Sequence, residues 1–215
     1  GYVIQKLGDR PLDTYSSSEA AALRDWLSSR NNSTPSIKRI FSTIRAVMNL
    51  TIQEDGLTCT NAFAKTFLLS DERPKRASIS LEDIKRIQAL CLYIADDRRL
   101  LIALISDTGM RLSEALGLVW ADIHLDHKYP HISLEPHPWR PLKTAGSKRL
   151  IPLVGASLEA IKIMHRQRTT QFLFNTYTNA TGCKGNSCSA ALNKWLKQHL
   201  PKAVIHSFRH SFRDR

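Results

Sequence analysis

The sequence predicts a mainly α-helical protein with one small antiparallel β-sheet, an α+β class. Three observations predict it. Apolar residues recur at three- and four-residue intervals along most of the chain, while short β-type runs punctuated by prolines are confined to one stretch that begins near His131. The chain has 215 residues, 42% hydrophobic and 23% charged, which is enough to bury a core. The same composition excludes collagen-like, disordered and disulfide-stapled classes.

Taken in order, the first helical signal is Ser16-x-x-Glu19, a capping-box pattern followed by Leu23, Trp26 and Leu27 and stopped by Asn31-Asn32. Thr34-Pro35 places an N-cap before a proline at the first helical position, and Ile37, Ile40, Phe41, Ile44, Val47 and Met48 form a long apolar stripe that ends near Gly56. Lys38, Arg39 and Arg45 lie on the opposite face, open to water or to phosphate. The charged, proline-containing run Asp71–Arg76 reads as a linker, giving domains over 1–72 and 78–215 joined by 73–77. Ser80-x-x-Asp83 opens the second domain, with Ile84, Ile87, Leu90 and Cys91 directed to a core. Helices follow over Arg98–Ser106 and, after the break at Thr108-Gly109, over Arg111–Trp120. The runs Ile132–Leu134, Trp139–Lys143 and Leu150–Leu153 read as a small antiparallel sheet with a hairpin. Helical periodicity returns with Leu158, Ile161 and Met164, then with Leu192, Trp195, Leu196 and Leu200; Trp139 and Trp195 are expected core anchors.

The charge is unevenly placed. Lys and Arg total 31 against 19 Asp and Glu, a net +12, yet residues 1–127 hold 16 of each sign and residues 128–215 hold 15 basic and 3 acidic. A surface of one sign concentrated in one region suits a polyanionic partner, foremost a nucleic-acid backbone. No apolar run approaches the roughly 18 residues of a membrane span, and the first residues show no signal-peptide core. Four scattered cysteines point to a reducing compartment, so the bacterial cytoplasm is expected. Cys183 and Cys188, with His199 and His206 downstream, have a spacing zinc can use, but without a second cysteine pair no metal is expected. His124, His127, His131 and His137, with Asp122 and Asp126, fall where helices give way to strands and are expected to form a solvated connection.

Three sites place cations beside structure that would hold them. In Thr108-Gly109-Met110-Arg111-Leu112-Ser113-Glu114 a glycine turn puts Arg111 in the first turn of a helix, where a cation opposes the helix dipole; Glu114, three residues on, shares its face. Read alone, this is an ordinary surface ion pair. In Leu142–Leu153, Lys143, Lys148 and Arg149 flank a glycine-containing hairpin tip, which can sit beside a phosphate backbone or merely solubilise the protein, and a lysine crowded by cations can donate a proton. In Val204–Arg213, Ile205, Phe208 and Phe212 form a stripe docked into the core, leaving His206 and Arg209 on a neighbouring face with His210 and Arg213 one turn later. An imidazole beside a guanidinium binds phosphate while offering an acid or base.

In this order the three sites resemble the tyrosine recombinases, or phage-type integrases: an Arg in a T-G-x-R-x-S-E box, a Lys on a β-hairpin and an H-x-x-R-H box, here Thr108–Glu114, Lys143 and His206–His210. Residues 18–61 look like the later part of that family's helical core-binding domain, so the resemblance covers nearly the whole chain. It implies site-specific DNA recombination on double-stranded DNA gripped between the two domains, without metal or cofactor. It implies that Arg111 and Arg209 clamp the scissile phosphate, that His206 assists proton transfer at the attacking oxygen, and that Lys143 protonates the leaving 5′-oxygen. Lys148 is a second candidate for the hairpin lysine; Glu114 and His210 support the site, and Lys38, Arg39, Arg45, Lys148 and Arg149 are expected DNA contacts. The family's nucleophilic tyrosine lies roughly thirty residues beyond the H-x-x-R box. None of Tyr2, Tyr15, Tyr93, Tyr129 and Tyr177 stands there, and the chain ends at Arg215, so a fragment that binds DNA without cleaving it is expected. The family's homo-tetramer would need the further C-terminal segment, and the fragment is expected to be monomeric. A type IB topoisomerase and a non-catalytic DNA-binding regulator are the competing readings.

Overall fold

The structure, a computed structural model, describes residues 1–68 and 78–214. The run read as a linker lies outside the described residues. The chain divides into two compact units, Gly1–Lys75 and Arg76–Arg215.

The first unit contains helices α1 (Tyr2–Leu7), α2 (Ser17–Ser29) and α3 (Thr34–Glu54). The capping box that opens α2 is formed: Ser16 Oγ accepts the Glu19 N–H at 3.3 Å, and Glu19 Oε2 accepts the Ser16 N–H at 2.9 Å. The cap of α3 is Ser33 rather than Thr34, its Oγ accepting the Ser36 N–H at 3.4 Å. Pro35 therefore occupies the first turn, where its missing N–H leaves no bond unmade. Leu23, Leu27, Ile37, Phe41, Met48 and Phe63 close the core. The predicted stripe on α3 is narrower than its sequence suggested, since Val47 is 58% exposed. On its other side Lys38 and Arg39 are exposed, whereas Arg45 turns inward and donates from Nε and Nη2 to the carbonyls of Phe63 and Thr66 at 2.8 and 2.9 Å.

The second unit is built around α5 (Asp97–Thr108), which packs against α4 (Leu81–Ile94), α7 (Gly155–Arg166) and α9 (Ile205–Arg213). Leu100 to Ile105 are all buried, as expected of a helix that is apolar on every side. Ser80 caps α4 as predicted, accepting the Asp83 N–H at 3.1 Å. Around this centre lie the short α6 (Leu112–Leu116), α8 (Gly185–His199) and a two-stranded ribbon of β4 (Thr178–Asn179) and β5 (Gly182–Cys183). The larger sheet is antiparallel in the order β1 (Ile123–His124), β2 (His131–Leu134), β3 (Arg149–Pro152), with Ile123 opposite Ile132, Ile132 opposite Ile151 and Leu134 opposite Arg149.

Four expectations are corrected. Trp139–Lys143 is not a strand: the connection from β2 to β3 is irregular apart from a single bridge between His137 and Arg140 and a 3₁₀ turn at Ala145–Ser147. Arg140 is pulled into the interior there, and Pro141 has no N–H to offer a ladder. The helix predicted to run to Trp120 ends at Leu116, where Gly117 follows and a 3₁₀ turn carries Trp120–Asp122. Asp122 and His137 are not part of a solvated connection: Asp122 is buried, accepts the Val119 N–H at 3.1 Å, and its Oδ1 lies 2.9 Å from His137 Nε2. His124 and His131 do remain at the surface edge of the sheet, stacked across the strands with centroids 4.7 Å apart. Finally, Ile205 and Phe208 of α9 are buried but Phe212 is 43% exposed; the buried face is completed by Ser207 and Ser211, whose Oγ accepts the Ile79 N–H at 2.8 Å.

Candidate active site

The site begins at the turn between α5 and α6. Gly109 ends α5 in the left-handed region, φ 59°, a conformation that costs an L-residue about 1–2 kcal/mol. A Cβ there would also fall 2.6 Å from the ring of Phe212, so glycine lets α9 approach the turn closely. That approach brings in Arg209, which donates from Nη1 to the carbonyl of Gly109.

Arg111 is the N-cap of α6, with extended backbone at φ −70°, ψ 148°, and not a residue of the first turn as expected. Glu114 at the third helical position closes back on it, Oε2 accepting the Arg111 N–H at 3.0 Å and Oε1 accepting Arg111 Nη1 at 2.6 Å. This is no surface pair. The Glu114 side chain is 4% exposed while that of Arg111 is 34% exposed, so a buried carboxylate holds a guanidinium that reaches solvent. A second guanidinium, from Arg149 at the start of β3, meets Glu114 Oε2 at 3.0 Å. Burial acts to raise the Glu114 carboxyl, but the bonds from Arg149 and from the backbone and side chain of Arg111 outweigh it and hold it below its ordinary value. Burial first, and then the charge of Arg111, push the Arg209 guanidinium below its ordinary value. It stays protonated all the same. Two arginines distant in sequence thus lie within electrostatic reach of each other and of one buried carboxylate.

The sign of the Glu114 shift gives a pH dependence. Because its folded value lies below the ordinary 4.5, the ionised group stabilises the fold fully above that pH and loses its contribution as the pH falls through the lower, folded value. Glu114→Gln is expected to reduce stability by about 1.5–3 kcal/mol at neutral pH. In urea titrations the gap from wild type should close as the pH falls through the lowered, folded value of Glu114. A gap independent of pH would mean that shape, not charge, sets the effect.

The other predicted residues are placed as follows. His206 and His210 are exposed on α9, their rings edge-to-face at 4.8 Å. Lys143 is exposed just ahead of the 3₁₀ turn at Ala145–Ser147. Lys148 is paired with Glu135 Oε2 at 2.8 Å and is 64% exposed. The structure therefore joins Arg111, Glu114, Arg149 and Arg209 in one cluster and puts Lys143 and Lys148 on the neighbouring β2–β3 connection, while Lys38, Arg39 and Arg45 belong to the other unit. The sequence reading missed Arg140, which anchors that connection: 2% exposed, it donates to the carbonyl of Glu114 at 3.1 Å and to Asp122 Oδ2 at 3.2 Å. Nothing local marked it, for the Glu114 carbonyl and Asp122 lie 26 and 18 residues away in the chain. Among the cysteines, burial pushes the thiols of Cys91 and Cys188 up to about 12 and about 11, which leaves both unreactive.

Comparison with known families matches residues 78–215, the whole of the region carrying the arginine cluster, to the phage integrase family. The chain belongs to that family. Comparison with curated proteins gives no match. Among solved structures, this integrase-family chain is similar to the Tn1549 transposon integrase in complex with circular intermediate DNA, with a TM-score of 0.73, 19% identity, and 96% of this chain and 74% of that one covered. It is similar to lambda integrase in a dimer bound to a COC′ core site, with a TM-score of 0.72, 18% identity, and 98% and 60% of the two chains covered. Lambda integrase in a tetramer bound to a Holliday junction gives a TM-score of 0.73 at 18% identity, with 98% and 62% covered. At such identities the likeness is one of fold. No helix among the described residues of the chain is long and apolar enough to cross a membrane.

Proposed function

We propose that this integrase-family chain is the DNA-binding and phosphate-clamping part of a site-specific recombinase acting on double-stranded DNA in the bacterial cytoplasm. The observation that carries the reading is the meeting of Arg111 and Arg209 at the Gly109 turn, each anchored by a protein acceptor and each with donors to spare. Two fixed guanidiniums hold the two non-bridging oxygens of a phosphodiester and offset the charge that builds on them as a fifth oxygen approaches. The nucleophile in this scheme is a tyrosine supplied from outside these 215 residues. Its hydroxyl oxygen bonds to phosphorus as the bond to the 5′-oxygen breaks, leaving a 3′-phosphotyrosine and a free 5′-hydroxyl. His206 assists removal of the phenolic proton and Lys143, or in its place Lys148, donates a proton to the departing 5′-oxygen. His210 supports His206 through the contact of their rings. Exposed Lys38 and Arg39, with Lys148 and Arg149, supply contacts to the rest of the backbone, and the excess of basic over acidic residues beyond residue 127 draws the duplex in. The complete protein acts as a homo-tetramer on DNA.

The test is a nicked suicide duplex presented to this chain and to a form extended through the proposed tyrosine, with covalent adducts resolved on a denaturing gel. Both forms are expected to bind the duplex, and the extended form alone to become covalently attached. Binding by both with an adduct from neither would favour a non-catalytic DNA-binding regulator.

A further inference from the structure

We propose that Arg149 is a positioning residue of the phosphate site, fixing Arg111 through Glu114 and tying it to the turn beside Lys143. The inference rests on the phosphate-site reading above and gives a specific task to a residue that charge alone marks only as a backbone contact.

The guanidinium of Arg149 spans two elements. From Nη2 it donates to Glu114 Oε2 at 3.0 Å, and from Nη1 to the carbonyl of Ser147 at 2.8 Å. Ser147 closes the 3₁₀ turn that follows Lys143, its N–H donating to the Thr144 carbonyl at 3.0 Å and its Oγ lying 3.0 Å from Thr144 Oγ1. One planar side chain therefore connects the Lys143 turn to the carboxylate that holds Arg111, a bridge that needs the fixed fork of arginine. The register of the sheet sets its place: Arg149 is the first residue of β3, opposite Leu134, at the end of the sheet where the β2–β3 connection leaves and returns.

The consequence for Arg111 follows from the valence of Glu114. With Arg149 in place, Oε2 is shared between that guanidinium and the Arg111 N–H, and Oε1 alone is left to the Arg111 side chain. Without Arg149, Oε2 loses its charged donor, and the buried carboxylate becomes a stronger competitor for both arms of Arg111. A guanidinium gripped by both carboxylate oxygens has fewer donors and a worse angle for phosphate. Arg149 is itself 32% exposed, so it also adds positive charge beside Arg111 and Arg209.

The test uses this chain, inorganic phosphate as the probe, and NMR of the arginine Nε–H groups together with the side-chain carboxyl of Glu114. In the wild type the Arg111 and Arg209 signals are expected to move on titration with phosphate. Arg149→Ala should weaken that binding by about 5–10-fold, the worth of one ordinary hydrogen bond, and raise the pH at which Glu114 titrates. Arg149→Lys, which keeps the charge and tolerates the same fold, should recover only part of the phosphate affinity. Lys85→Ala, removing an exposed charge from α4, should leave binding within about twofold. Unchanged phosphate affinity or an unmoved Glu114 titration in Arg149→Ala would overturn the proposal, as would full rescue by lysine. A wild type whose Arg111 and Arg209 signals ignore phosphate, while Glu114 still shifts in Arg149→Ala, would overturn the phosphate-site reading and leave the coupling of Arg149 to Glu114 standing.

Discussion

In the proposed recombinase, extended through the proposed tyrosine, Arg209→Ala is expected to lower formation of the covalent DNA complex by about 10²–10³-fold while duplex affinity falls by less than about threefold. The split follows from what Arg209 touches. Its guanidinium is half-buried on α9, one amino group spent on the Gly109 carbonyl, so the rest of the fork is held in one orientation before any phosphate arrives. Such a group contributes most when charge accumulates on the phosphoryl oxygens, and little to a ground-state affinity that many exposed cations already supply. Arg111→Ala is expected to behave in the same way, and the double substitution to cost far less than the product of the two, because both act on one developing charge. Arg209→Lys should not restore cleavage, since an ammonium cannot hold the Gly109 carbonyl and a phosphate oxygen in one plane. Cleavage within threefold of wild type, or a parallel collapse of binding, would reject the assigned role; single-turnover cleavage beside equilibrium binding measures both.

Much of the fold was legible because its determinants are local. The serines and acids at Ser16–Glu19 and Ser80–Asp83 satisfy helix N–H groups within one turn, and no distant residue has to agree. The same locality explains a near miss at α3, where Ser33 and Thr34 are both competent caps and Pro35 is tolerated at either of the next two positions. The pairing of Arg111 with Glu114 was readable from their spacing, but its burial was not, because that depends on Arg149 arriving from β3. Trp139–Lys143 failed as a strand for a like reason: alternation and aromatic content suit a strand, yet the segment's course is set by where the Arg140 side chain finds acceptors. Phe212 completes an apolar stripe in sequence, while in space the stripe ends at Phe208 and the ring lies over Gly109 instead.

Arg140 carries the largest expected effect on stability. Its carbons lie against Gly117, where a Cβ would come within 2.5–2.7 Å of Arg140 Cβ, Cγ and Cδ, and its guanidinium reaches the Glu114 carbonyl, the Glu135 carbonyl and Asp122. Burial acts first to lower the Arg140 pKa and Asp122 opposes it, the signature of an interior charge that depends on its partner. Removing the cation strands Asp122, 4% exposed, with only the Val119 N–H and His137 among the described residues to solvate it. Arg140→Met is therefore expected to cost about 3–5 kcal/mol, a large share of the roughly 5–15 kcal/mol that holds a typical domain together. Adding Asp122→Asn should recover part of the loss, because an amide is less costly to leave in the interior than an unpaired carboxylate. Denaturant titrations of the two single variants and the double variant close the cycle, and a single-variant loss below about 1 kcal/mol would show that the pair is not what holds the connection. The same guanidinium links the β2–β3 connection to α6 at the residue that holds Arg111. Arg140→Met should accordingly loosen Lys143 relative to the arginine pair even where the fold survives, and strand cleavage by the extended protein should fall under conditions in which the variant is still fully folded.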